Sequence, residues 1–291
     1  MDFYLAAVLQ ALCFTPMCLG IYITLKVFNF PDITTDGSYT LGAVICALGM
    51  SNGLPLVLTV PAILVGGALA GISTALIHTK LKVNALLSGI LMMTALYSVN
   101  LSLMGRSNIP LLGKQSFFSL SLVSDTDLNI FLITLIIILL LIAGLNYLLK
   151  SDFGLAMRAT GNNEVMIRSL GVNTGSIKII GLAITNSLVA LSGALVAQFQ
   201  GFTDINMGIG IVISGLGSVM IAETVIRLFR IERMIMNLCC IVIGVCLFQL
   251  VLAFTLSIGI DANLLKLLTS CFVLLIVALP NSKWFKFLNA K

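Results

Sequence analysis

Four stretches of the chain, Phe131 to Leu149, Lys178 to Ala197, Met234 to Leu256 and Leu264 to Leu279, run almost without charge. Their lengths approach the ~20 residues that an α-helix needs to cross a ~30 Å hydrocarbon core. Lipid offers backbone N–H and C=O groups no partners, so only helices and closed barrels span it. Barrel strands alternate apolar and polar residues over about ten positions, which these runs do not do. A helical membrane fold follows. Composition excludes the soluble alternative, since 59% of residues are hydrophobic and 9% charged, against about 25% charged in soluble domains.

The same reading along the whole chain gives segments near 4–25, 38–50 (short), 54–78, 84–104, 129–149, 178–199, 207–226, 234–256 and 263–280. The fold class is therefore an all-α polytopic membrane protein with about eight or nine membrane segments, some short or discontinuous. The opening MDFYLAAVLQ has no basic stretch before the apolar run and no A-x-A-like cleavage site. It reads as a retained first span rather than a signal peptide, with the mature chain starting at or near Met1.

Lysine and arginine stay on the cytoplasmic side of short loops. With Lys150 to Lys178 inside, alternation also places Lys26, Lys80, Lys82, Arg227, Arg230, Arg233, Lys283, Lys286 and Lys291 inside. Adding Lys150, Arg158, Arg168 and Lys178 makes thirteen of the sixteen basic residues. Arg106, Lys114 and Lys266 fall outward, and Lys266 lies near a helix end, where its stem can snorkel. The expected topology is N-terminus out and C-terminus in, in the cytoplasmic membrane. The +5 net charge is then an inner-leaflet bias, and no dense basic cluster points to nucleic acid.

Phe30-Pro31-Asp32-Ile33-Thr34 after the first span is echoed by Phe202-Thr203-Asp204-Ile205-Asn206 after the sixth. The two copies face opposite sides in this topology, as an inverted repeat requires. The expected organisation is a single membrane domain over 1–291. A first repeat covers about 4–104, a connecting span and cytoplasmic loop about 129–177, a second repeat about 178–280, and a cytoplasmic tail 281–291.

Nothing in the sequence resembles catalytic machinery. The single histidine, His78, sits beside Lys80 and Lys82 at a helix end, and there is no H-E-x-x-H, G-x-S-x-G or G-x-x-x-x-G-K-[ST] motif. No catalytic residue, metal site or cofactor is expected, and any ATP used is bound by another chain. The seven cysteines (Cys13, Cys18, Cys46, Cys239, Cys240, Cys246, Cys271) lie in apolar runs and read as small packing residues, without disulfides. Asp32, Asp36, Asp204, Glu223 and Asp261 lie near segment ends, where helix capping is the ordinary role. Ion-coupled carriers usually bury ionisable groups in mid-span, so their absence there weakens a secondary-transporter reading. A sodium site of backbone carbonyls would leave no sequence trace, and that alternative stays open.

The loop from Ser151 to Ile177 carries more information. Glu164 to Leu170 is helix-compatible, with Gly161-Asn162-Asn163 before it and Gly171 after it. Asn163 suits a helix start and Gly171 a helix end, so a compact knob is expected, of a kind suited to docking another protein. An ordinary solvated connector is the alternative. Small residues are dense in Val65–Gly71, which reads as tight packing, and in Gly208–Ser218, where Gly215 and Gly217 suggest a discontinuous helix beside a path. Polar candidates for lining such a path are Asn84, Ser88, Thr94, Asn100, Asn186, Ser187 and Gln198.

Three stretches, FNFPDITTDGSYTLGA, VNALLSGILMMTALYSVNLSLMGRSNIPLL and RATGNNEVMIRSLGVNTGSIKIIGLAITNSLVALSGALVAQFQGFTDINMGIG, resemble permeases of the branched-chain amino acid and ribose type of ABC importer. Within that family the resemblance is to the tryptophan/tyrosine, or uncharacterised amino-acid, permease subgroup. It implies that Gly161 to Gly171 holds a cytoplasmic coupling helix, with Arg158, Asn162, Asn163, Glu164 and Arg168 in the ATPase-facing element. It also implies a permease homodimer, two cytosolic ATPase subunits, and an extracytoplasmic substrate-binding protein docking on outward loops such as Gly105 to Asp127. Alternating access by an ATP-driven dimer, surrounded by membrane lipid, would move a small solute, with an aromatic amino acid favoured.

Overall fold

The computed structural model describes residues 3–113, 117–119, 125–231, 233–259 and 264–278. Met1, Lys114, Asp261, Lys283, Lys286, Lys291, the Lys266 side chain, the tail 281–291 and part of the Gly105–Asp127 loop lie outside the described residues.

Each apolar segment read from the sequence is a helix. They are α1 (Phe3–Tyr22, continued by a π-helical turn over Ile23–Val27), α2 (Thr34–Ser51), α3 (Leu56–Lys80), α4 (Ala85–Met104) and α5 (Thr126–Lys150). The central loop holds α6 (Asp152–Asn162) and α7 (Glu164–Ser169). Then follow α8 (Thr174–Gln200), α9 (Ile211–Leu228), α10 (Met234–Ser257) and α11 (Leu265–Ala278). Two three-residue strands, β1 (Asn108–Pro110) and β2 (Phe202–Asp204), pair antiparallel with Asn108 opposite Asp204. Among the described residues seven helices are long and apolar enough to cross a membrane. The chain is an all-α polytopic membrane protein.

Helix α8 is the axis of the fold. Its 27 residues span about 40 Å at 1.5 Å per residue, longer than the hydrocarbon core. Helices α1, α2 and α3 pack around it. Without a hydrophobic driving force between helices in lipid, close van der Waals approach must hold them together. Glycines permit that approach: Gly42 lies on the Ala190 backbone, Gly67 and Gly71 on the Asn186 and Leu182 carbonyls, and Gly193 on the Tyr39 carbonyl. The small residues of 65–71 therefore do what their composition suggested.

The most polar helix of the bundle is also the most enclosed. Thr34, Thr35, Asp36, Ser38 and Thr40 of α2 are all buried, and α2 is not among the seven apolar spans. It is shielded by α3, α4 and α8 rather than exposed to lipid. The contact pattern pairs off across the chain. Helix α1 packs on α10 as α8 packs on α3, α2 on α3 as α9 on α10, and α2 on α4 as α9 on α11.

Two local features differ from the sequence reading. Residues 152–162, part of the central loop to which the sequence reading assigned no helix, form α6, which Ser151 starts by accepting from Gly154 N. The segment predicted from 207 becomes helical only at Ile211: residues 205–210 are turn, with Gly210 at φ +81°. The break therefore precedes α9, and Gly215 and Gly217 sit within unbroken helix against Ile21 and Phe248.

Candidate functional site

The central loop is a built knob. Asn163, at φ −155° and ψ 92°, ends α6 and starts α7, its Oδ1 accepting from Met166 N at 3.0 Å. Gly171 closes the knob at φ +83°, a conformation costly for side-chain-bearing residues. Glu164 ties it down: its carboxylate meets Lys178 Nζ at 2.7 Å and Arg168 Nη2 at 2.9 Å, and accepts from Thr174 Oγ1 at 3.1 Å. Burial pushes the Glu164 carboxyl up. The hydrogen bond and charge of Lys178, with help from Thr174 and Arg168, outweigh that and hold it below its ordinary value.

Lys178 belongs to the first turns of α8, so the knob is bonded to the axis of the bundle. Lys178 Nζ also lies 3.3 Å from His78 Nε2, while His78 Nδ1 lies 2.8 Å from the Val83 carbonyl. Lys178 and His78, with Lys80, Lys82 and Asn173, line an open groove of about 760 Å³ beside α7. On the other side, Gly161 rests on the Val27 carbonyl and the Phe28 backbone at the end of α1, and Arg158 Nη2 donates to Leu149 O at 3.2 Å. Asn162 is the last residue of α6. While its base is held this way, α7 presents apolar side chains to solvent: Val165 is 81% exposed, Met166 58% and Leu170 67%. The three side chains form an apolar patch on a short, fixed helix. All seven loop residues singled out from the sequence thus fall in one structural unit.

The candidates for a path do not converge on one cavity. Asn84 caps α4 through Leu86 N, Ser88 donates to Asn84 O, and Thr94 is exposed and bonded to Leu91 O. Asn100 is buried and donates to Gly37 O at 3.2 Å, with its Oδ1 unpartnered among the described residues. Ser187 donates to Leu64 O, and Gln198 joins Phe117 N to Cys46 Sγ. Asn186 is the centre of a buried network, donating to Asp32 Oδ2 at 2.8 Å and accepting from Ser38 at 2.7 Å. Thr34 and Thr74 add a 2.7 Å hydroxyl pair.

Sequence reasoning placed Asp36 at a helix end but not its partner. Its carboxylate accepts from Gly210 N at 2.9 Å and Val212 N at 3.0 Å, so the start of α2 caps the start of α9 across the molecule. Glu223 likewise joins two elements, at 2.6 Å from Lys26 and 3.5 Å from Arg227. The repeated Phe-x-Asp-Ile motif was the one available signal for Asp32. Nothing in the sequence signalled the cross-chain partners.

Residues 3–279 match the family model described as branched-chain amino acid transport system / permease component. The chain is 42% identical over 273 residues to a tyrosine transport system permease protein of Clostridioides difficile, covering 94% of this chain and 89% of that one. It is 35% identical over 285 residues to an uncharacterized protein of Rickettsia prowazekii, covering 97% and 99%. A 79-residue stretch, 27% of this chain and 19% of the relative, is 32% identical to a high-affinity branched-chain amino acid transport system permease protein of Escherichia coli. No solved structure matches. A polytopic helical membrane chain matched over nearly its whole length leaves one assignment: this protein belongs to the permease component family of branched-chain amino acid transport systems.

Proposed function

We propose that this chain is the membrane permease of an ABC importer, driven through α7 by a separate cytosolic ATPase. The observation that carries the reading is the knob itself, an apolar patch at Val165, Met166 and Leu170 whose base is bonded through Glu164 to the start of α8. A push on α7 is passed by Lys178 to the helix that α1, α2 and α3 all pack against. Rigid elements with a bonded connection are what a mechanical coupling needs.

In this reading the basic helix ends lie in the cytoplasm, so the N-terminus is outside and the C-terminus inside. The β1–β2 ribbon, at the opposite end of α8 from the knob, then faces outward, and its strand β1 belongs to the Gly105–Asp127 loop where a substrate-binding protein docks. Two copies of the chain form the translocating unit and work by alternating access. The paired packing of α1 to α4 and α8 to α11, together with the two Asp turns, supports an inverted repeat. The solute is an amino acid, and the tyrosine named for the Clostridioides difficile relative favours an aromatic one.

The test is co-purification with the neighbouring-gene ATPase from native membranes, comparing wild type with Val165→Asp plus Met166→Asp. Both side chains are solvent-exposed, so the fold should survive. Retention of the ATPase by wild type and its release by the double variant supports the coupling role. A wild-type chain that purifies alone and moves solute without ATP would instead be a secondary transporter.

A further inference from the structure

At the end of α8 remote from the knob, an open groove of about 330 Å³ runs between α1, α2, α8 and the turn after β2. Its base is apolar, formed by Phe14, Tyr39, Val196 and Ile211. Phe14 and Tyr39 stack there with centroids 6.0 Å apart and planes 12° from parallel. The Tyr39 hydroxyl, on a side chain 1% exposed, has no hydrogen-bond partner among the described residues.

The rim is polar and has one charge. Asp204 uses Oδ1 to accept from Asn206 N at 2.8 Å and makes no ion pair among the described residues. The carboxamides of Gln200 and Asn206 stand beside it, and Phe202 adds a ring. The wall carrying Asp204 is fixed. β2 pairs with β1, Ile205 N donates to Ser107 O at 3.0 Å, and Thr203 Oγ1 donates to the Ala43 carbonyl at 3.4 Å.

We propose that this groove is a substrate site for a zwitterionic α-amino acid with an apolar or aromatic side chain, an inference that rests on the import-permease reading. Asp204 takes the ammonium group, which aromatic faces also favour. The amides of Gln200 and Asn206 donate to the carboxylate, and the side chain lies over the Phe14–Tyr39 stack. The volume falls at the small end of ligand pockets, which run from about 300 to 1,000 Å³. A single acid without a basic residue in the lining argues against an anionic solute, and the apolar base argues against a sugar.

Two measurements test the site. In the full chain in lipid nanodiscs, Gln200→Cys should react with a membrane-impermeant maleimide above the wild-type background, and millimolar L-tyrosine should slow that reaction severalfold. The desamino analogue, 3-(4-hydroxyphenyl)propanoate, should not. Equal labelling with and without L-tyrosine overturns the proposal, as does no labelling at all, which would mean that a second copy or a partner covers the groove. In vesicles holding the complete transport complex, Asp204→Asn should cut uptake at least tenfold, the loss expected when one charge-assisted bond is removed. Asparagine can still accept from Asn206 N, so the turn is preserved. Wild-type uptake by Asp204→Asn overturns the site while leaving the permease reading intact. Should that variant fail to assemble, the exposed Gln200→Ala carries the same uptake test. Failure of the wild-type chain to associate with an ATPase is a failure of the permease reading, and the labelling measurement is independent of it.

Discussion

At Phe30–Thr34 and at Phe202–Asn206 the chain makes the same local turn. Asp32 Oδ1 accepts from Thr34 N at 2.9 Å, and Asp204 Oδ1 accepts from Asn206 N at 2.8 Å. An aspartate bonding the backbone two residues on is a local event that needs no neighbours. The surroundings then separate the two. Asp32 is 6% exposed, and its second oxygen is taken by Asn186 of α8, which Ser38 in turn orients. Asp204 is half-buried on the wall of an open groove. One turn sequence thus serves once as a bolt in the bundle core and once as a charged group facing an opening. The lesson is that a repeated motif carries its geometry with it, while its role is set by what packs against it.

The largest effect should come from breaking the bolt. Asn186→Leu leaves the Asp32 carboxylate buried without its α8 partner and should cost about 3 kcal/mol or more, measured as loss of stability in a thermal-unfolding series in detergent. A loss near zero would mean that water replaces the amide and that the two aspartates are equivalent. Next, Gly42→Val drives a side chain into the Ala190 backbone at the α2–α8 seam. Overpacking of this kind costs about 1–3 kcal/mol or prevents folding, read as the yield of monodisperse protein. An unchanged yield would show that α2 is loosely held and that its polar network is not what orders the core.

Asp204→Asn should sharpen the contrast from the other side, changing stability by no more than about 0.5 kcal/mol, as for a surface substitution. Equal destabilisation by Asp204→Asn and Asp32→Asn in the same unfolding series would erase the distinction. An intermediate, solvent-screened effect belongs to Glu164, whose side chain is 34% exposed and lies between these extremes. Its folded carboxyl is held below the ordinary value, so its stabilising contribution is present above the ordinary carboxylate pKa and is lost as pH falls through the lowered one. Amide exchange in α7 should therefore accelerate only under acid conditions below the ordinary carboxylate range. Glu164→Gln should loosen α7 at neutral pH by less than about 1 kcal/mol, and exchange rates indifferent to both changes would show that the knob is held by packing alone.

Much of the fold was legible because lipid imposes a length and a composition on every crossing. The runs from Phe131 and Met234 could be read as helices without reference to any neighbour, and each became one. The knob was legible for a similar reason, since Asn163 and Gly171 act through their own backbone. Helix α6 was missed because Asp152–Asn162 is amphipathic and interrupted by Gly154 and Gly161. Those glycines matter only because Leu149 and Val27 approach them. Asn186 and Gln198 looked like path-lining groups, since an amide in an apolar run must find a polar partner. Whether that partner is a solute or another helix is not written in the run.

The sequence alone determined the membrane helices, their approximate ends and the capped knob, because these depend on hydropathy and on bonds between residues a few positions apart. Only the tertiary structure decided that Asp32 is bound by Asn186, that Asp36 caps α9, that Glu164 is clamped to α8, and that Asp204 borders a groove. Each of those roles joins distant parts of the chain or places a residue against them. In the dry interior a carboxylate's meaning is fixed by whichever donor is brought within about 3 Å of it.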